Sequence, residues 1–285
     1  MSGNEMGLKK MFEKKGKEGL EKKGNVRREE ITIKKSGKKP SGISFLLPGI
    51  LILILAAVIA GSGCAAYECE PGSGNVEEEN RNVEPYHSVD SQVSGDIFVK
   101  QDGGSSLVIE AEDNLLPLLE TSVENGVLVI RAKKCIRPLK PIKVYAGMEE
   151  VRSLSLSGSG DITGTTPIDS ENLELAIIGS GDIEMEVNAS SLKSQVSGSG
   201  DFLLEGDAAT HEIEIDGSGD VDALGLRTEV TRVRIYGSGD AKVYTDREMD
   251  VEIAGSGSVY YWGEPEKFNT QVSGSGKIEK IDDRE

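Results

Sequence analysis

Gly158-Ser159-Gly160-Asp161-Ile162 decides the fold, because it returns along the chain. Gly-Ser-Gly-Asp stands again at 179–182, 198–201, 217–220 and 237–240, and variants ending in Ser258 and Lys277 stand at 255–258 and 274–277. The steps between first glycines are 21, 19, 19, 20, 18 and 19 residues. A short motif at a near-fixed period of about 20 marks a solenoid.

The residues around the motif give the local structure. Two positions before the first glycine stand Leu156, Ile177, Val196, Ile215, Ile235, Ile253 and Val272. Four positions after it stand Ile162, Ile183, Phe202, Val221, Ala241, Val259 and Ile278. The column four before is mostly apolar, with Ser194 and Thr270 as exceptions. Charged residues alternate with these columns, as Glu212 and Glu214 do around Ile213. Period-two alternation predicts strands with one buried face. Each repeat therefore reads as strand, Gly-Ser-Gly corner, strand, second looser corner. One repeat cannot bury its own apolar face. Stacking at about 4.8 Å makes a continuous core. The expected fold is all-β: a right-handed parallel β-helix of about 19–21 residues per coil, preceded by an irregular β opening region and an N-terminal hydrophobic helix. A flexible Gly/Ser linker would lack the apolar columns, and a calcium-binding nonapeptide roll has a much shorter repeat.

Charge divides the chain. Residues 1–42 hold 13 Lys/Arg and 6 Asp/Glu, residues 43–61 hold no charge, and the formal total of −17 leaves −24 on the rest. The acidic part is a poor partner for nucleic acid. Residues 1–42 read as a basic disordered cytoplasmic tail or a long n-region. Residues 43–63 read as a signal peptide or membrane anchor, about long enough to cross the hydrocarbon core, with the amino end inside. Gly61-Ser62-Gly63-Cys64 resembles a lipidation signal at Cys64, with Gly61 where an aliphatic residue usually stands. Either a lipoprotein or an uncleaved signal anchor places the domain outside the cell membrane, at the cell surface. Residues 64–86 read as a polar linker. If Cys64 carries lipid, Cys69 and Cys135 form an even pair; Cys64–Cys69 is the alternative with an intact anchor.

Residues 87–285 form the expected domain, with opening coils over 87–152 and repeats over 153–281. Val93-Ser94-Gly95-Asp96-Ile97 looks like a degenerate corner, Asn125-Gly126 signals a hairpin, and residues 115–119 a short helix or turn. The opening region and the polar end, Lys280 to Glu285, are expected to cap the stack.

Chemistry is sparse. Asp161, Asp182, Asp201, Asp220 and Asp240 are weak candidates for metal, or for the carboxylates of a polysaccharide-active enzyme. Such an enzyme needs two carboxylates in different environments, whereas five equivalent copies fit turn-capping. His87, at the domain edge, and His211, at a corner, are not read as catalytic. No nucleophile elbow, phosphate loop or dinucleotide fingerprint occurs, and no cofactor is implied. Tyr260 and Trp262 are ligand-contact candidates, pointing outward on either side of an inward Tyr261; packing over the last coils is the alternative.

The Gly-Ser-Gly-Asp-aliphatic motif at 158–162, 179–183, 198–202 and 217–221, with the Asn125-Gly126 hairpin and Ile142-Lys143-Val144-Tyr145 before it, resembles the auto-transporter adhesin head GIN domain family over about residues 87–281. The resemblance implies a surface or lipoprotein β-helix and supplies no catalytic residues; the lack of an asymmetric polar cleft favours a non-enzymatic protein over a polysaccharide-active enzyme. The membrane, through anchor or lipid, and a cell-surface glycan or protein are the expected partners.

Overall fold

The computed structural model describes residues 68–281. The tail at 1–42, the apolar segment at 43–63, Cys64 and the last four residues lie outside them. Among the described residues no helix is long and apolar enough to cross a membrane. The described chain is all-β, a solenoid of about seven turns whose only helix is a 3₁₀ turn at Leu116–Leu118.

The repeats stack parallel and in register. Gly158 pairs with Gly179, and the series continues through Gly198, Gly217, Gly237, Gly255 and Gly274. The column from Leu156 to Ile253 and that from Ile162 to Val259 are buried throughout. The strands after the corners pair along the second column. The second corner differs from expectation: in Ile183–Gly198, Phe202–Gly217 and Val221–Gly237 the chain bends without ceasing to be strand. The 20-residue step is absorbed by a register shift between Leu203 and Glu205, a bulge that leaves the columns intact.

The Gly-Ser-Gly corner explains its own composition. The N–H of each serine donates to the first-glycine carbonyl of the preceding coil, from Ser180 on Gly158 at 2.9 Å to Ser275 on Gly255 at 2.9 Å. A Cβ on Gly217 would lie 2.2 Å from the Gly198 oxygen, and one on Gly219 would lie 2.1 Å from the Gly200 oxygen. Neighbouring backbones touch at both positions. Gly217 also has φ of 139°, where a side chain is strained.

The opening region winds out of order. Strands Ser88–Ser91 and Asp96–Gln101 make a coil whose degenerate corner stacks beneath Gly160. The following coil, Val127–Ala132 and Lys143–Met148, lies on the far side of it. The chain then crosses back to begin the repeats at Ser153. Ser106–Glu112 runs antiparallel to Lys143–Met148, and Val76–Asn80 runs antiparallel to Ser106–Glu112. With the hairpin Leu119–Glu124/Val127–Ala132, turned by Asn125 and Gly126 at φ of 54° and 79°, these strands cover that end of the core. Residues 68–86 are therefore part of the domain, correcting the expected linker. Cys69 and Cys135 form a disulfide, beside the short parallel pair Glu70–Pro71 and Ile136–Arg137. The buried Glu112 carboxylate accepts the Gly74 and Leu139 N–H groups at 2.6 and 2.9 Å, holding the two loops together. At the other end, every residue of Lys267–Gly274 is exposed.

His211 is corrected too. It is 2% exposed and lies in a core column between Leu192 and Thr231. The alternation of His211, Ile213 and Ile215 continues through the bend, which carries the ring inward. Its Nε2 meets Ser194 Oγ at 3.0 Å, so the serine that interrupts the apolar column has its partner one coil on. Burial depresses the imidazole pKa to about 3.

Two outcomes follow. Gly219→Ala should cost about 3 kcal/mol or more in urea melts, while Ser218→Ala, on an exposed side chain, should cost about 0.5 kcal/mol or less. For His211 the unfolded imidazole takes up a proton below about pH 6.5, and the folded one resists it. Stability is therefore full above that pH and falls as pH drops towards 3, by about 1.4 kcal/mol per unit from this group. His211→Leu should remove that slope when wild type and variant are melted side by side from pH 7 to 4.

Candidate functional site

The aspartate column was the first candidate, and the stack gives it a defined geometry. Asp161 Oδ1 accepts the backbone N–H of Asp182 at 3.0 Å. Asp182 accepts from Asp201 at 2.9 Å, Asp201 from Asp220 at 2.8 Å, Asp220 from Asp240 at 2.7 Å and Asp240 from Ser258 at 2.7 Å. A return bond closes each of the first four steps: Ile162 N–H donates to the Asp182 carbonyl, and Ile183, Phe202 and Val221 repeat this on the next three aspartates. The donor expected was the aspartate's own turn. It is the next coil, because stacking places that coil's N–H directly over the carboxylate.

The column is thus a spine of inter-coil hydrogen bonds. Burial raises the Asp201 carboxyl; the bond from Asp220 N–H, next in effect, lowers it, and the Asp182 and Asp220 charges add smaller upward pushes. Among the described residues no group of three His, Cys, Asp or Glu side chains is arranged to hold a metal ion. The carboxylates share one environment and one role, which is the opposite of an acid–base pair.

Another outward row handles charge differently. Glu174, Lys193, Glu212, Arg232, Asp250 and Asn269 follow one another across the stack. Opposite signs alternate from Glu174 to Asp250; Arg232–Asp250 at 3.6 Å is an ion pair within the row, and Arg234 of the adjacent row pairs with Glu212 at 2.5 Å. A shallow depression of about 370 Å³ lies over Arg232, Arg234, Asp250 and Gln271.

The aromatic candidates are partly packed. Trp262 lies across from Tyr244, edge to face at 4.9 Å, and is half-buried. Tyr260 is half-buried in the row between Lys242 and Glu279. Tyr261 packs on the core and on Phe268. His87 is half-buried, with Nδ1 3.0 Å from Ser88 Oγ. Motif reading missed a third aromatic pair, Phe98 and Tyr145, stacked at 5.2 Å on the opening coils. Those residues are 47 apart in sequence, and only the out-of-order winding makes them neighbours.

The spine makes a distinction between shape and charge. Asp201→Asn keeps the acceptor oxygen and removes the repulsion, so it should melt at or above the wild-type temperature at pH 7. Asp201→Ala leaves the Asp220 N–H without its acceptor and should cost about 1 kcal/mol. Thermal melts of both variants check this.

Comparison with known proteins now bears on these features. The crystal structure of a putative adhesin from Bacteroides fragilis is 24% identical, covers 74% of this chain and 99% of its own, and has a TM-score of 0.70. A putative lipid binding protein from Parabacteroides distasonis is 24% identical, with coverage of 74% and 98% and a TM-score of 0.63. A putative adhesin from the same species is 20% identical, with coverage of 75% and 100% and a TM-score of 0.59. At these identities the likeness is one of fold. A comparison with curated proteins gives no match. The model of the family described as "Putative auto-transporter adhesin, head GIN domain" matches residues 85–265. That match takes in the opening coils from Tyr86 on, the crossing back and the corners through Gly255, and the chain belongs to this family.

Proposed function

We propose that the chain is a non-enzymatic surface protein, tethered to the membrane by its N-terminal segment, whose solenoid is presented for adhesion or envelope interaction. The coils are read as right-handed, the hand that parallel crossovers favour. The observation that carries the location is the Cys69–Cys135 disulfide. It lies just beyond the apolar run at 43–63, and structural disulfides persist in oxidising compartments. Basic residues before that run and an acidic domain after it agree in direction. Cys64 is then either the lipidated first residue or part of a retained anchor.

Binding rather than catalysis fits the surface. The aspartates serve the stack, the outward row pairs its charges, and the solenoid offers long, regular faces of the kind repeat proteins use for contact. A surface glycan or a surface protein is the partner class. Membership of a family described as an adhesin supports this reading.

Mass spectrometry of the native amino terminus tests the tether. A chain that begins at Cys64 with acyl mass is the lipoprotein form; one that keeps Lys38-Lys39 is the signal anchor. Either should be labelled by a membrane-impermeant reagent on intact cells. A full-length cytosolic chain with reduced Cys69 and Cys135 would contradict the proposal. So would polysaccharide cleavage that disappears in Asp201→Asn.

A further inference from the structure

The outward face of the cap holds a recess built from three strands. Asp96–Gln101, Lys143–Met148 and Ser106–Glu112 lie side by side there. Register places Phe98, Tyr145 and Val108 in one transverse row, and Lys100, Gly147 and Ser106 in the next. Gly147 raises no side chain between Lys100 and Ser106, and the Ser106 hydroxyl leans over it. A Cβ there would come within 2.3 Å of Ser106 Oγ. The result is a recess of about 180 Å³, lined by both aromatics, Lys100, Asp102, Ser106 and Thr165 among others.

Its surfaces are of two kinds. The Phe98 and Tyr145 rings stack with 18° between their planes, and Tyr145 is 38% exposed. The stacked pair gives the recess its apolar side. The rim is polar and charge-balanced. Lys100 Nζ pairs with Asp102 at 3.2 Å, and Lys143 Nζ pairs with Glu110 at 2.8 Å. The Tyr145 hydroxyl donates to the same Glu110 at 3.4 Å. Behind the recess the buried Tyr86 hydroxyl donates to the Ser106 carbonyl at 2.7 Å and fixes that strand.

We infer that this recess holds one pyranose ring of a neutral glycan chain. The C–H face of a pyranose is flat and apolar and lies on an aromatic wall. Its hydroxyls both donate and accept, as the rim requires: an ammonium, a carboxylate and two side-chain hydroxyls surround the recess. Pockets for drug-sized ligands run to about 300–1,000 Å³; this one is smaller and suits a single ring, with the chain continuing over the open side. The paired charges give no net field, and the acidic domain around them repels uronate and phosphate. An acyl chain would desolvate the Lys100–Asp102 pair without replacing its hydrogen bonds. A folded protein partner would need a contact of about 1,000 Å² or more.

The inference rests on the surface-presentation reading, since it supplies the ligand for that surface. It is tested on the full chain in detergent micelles by saturation-transfer NMR and calorimetry. The probes are hexamers of glucose, mannose and N-acetylglucosamine, with a glucuronic acid hexamer and phosphatidylcholine vesicles beside them. At least one neutral hexamer should show transfer to its ring protons. Tyr145→Ala should weaken its binding by about tenfold or more, and Gly147→Ala, which drives the Ser106 hydroxyl into the recess, should do the same. Tyr236→Ala, which removes an exposed ring from the repeats, should leave binding unchanged. A melt accompanies each variant; if Tyr145→Ala loses its cooperative transition, Gly147→Ala decides. Absence of binding to every neutral hexamer, equal binding by Gly147→Ala, or equal affinity for the glucuronic acid hexamer or the vesicles overturns the inference. Labelling of intact cells is independent of these outcomes, so a negative result here leaves the surface reading standing.

Discussion

At each corner the backbone of one coil lies directly on the backbone of the next, and only a hydrogen atom fits between them. A Cβ on Gly181 would stand 1.8 Å from the Gly160 oxygen. From this contact the rest of the molecule follows. Glycine is required twice per corner, and the serine N–H reaches the carbonyl below it. The flanking strands are drawn to hydrogen-bonding distance, and their apolar residues stack as like on like. Stability in such a stack belongs to the interfaces between coils more than to any single coil. A substitution is therefore felt according to whether it sits in an interface, and its position within the motif matters more than its size.

The same stacking forces a decision about charge. In-register repeats place identical side chains about 4.8 Å apart, so a repeated aspartate is a repeated repulsion. Each carboxylate of the spine answers it by accepting the N–H of the coil above. The series then closes on Ser258, and Lys277 occupies the following position. On the other outward row repetition is abandoned and acid and base alternate. The recess proposed for a ligand lies where repetition fails, in the out-of-order winding of the cap.

What could be read in advance depended on whether the information was periodic. The columns at Leu156 and Ile162 and the corner glycines repeat, so strand, register and core could be assigned from spacing alone. The Asn125-Gly126 hairpin was legible because its turn chemistry is local. The cap was not, because its order depends on pairings between residues far apart: Ser88 with both Val127 and Ser153. For the same reason Phe98 and Tyr145 escaped notice while the contiguous Tyr260-Tyr261-Trp262 drew it. Val76–Asn80 looked like a linker because it is acidic and exposed; it is a strand through its backbone bonds to Ser106–Glu112 alone. The role of the aspartates was half legible. An N–H acceptor was expected, but choosing the coil above over the local turn needed the stack itself.

Amide hydrogen exchange at the corners reports whether neighbouring coils meet there. The N–H groups of Ser199, Ser218, Ser238, Asp201, Asp220 and Asp240 belong to short Gly-rich turns, mostly at the surface, and would exchange freely if those turns were ordinary loops. Here each donates across a coil interface. The stack predicts that they exchange as slowly as the amides of the buried strand residues Ile215 and Ile235, through global unfolding. Rapid exchange at the corners beside protected strands would show that the coils do not meet there, and would contradict the account.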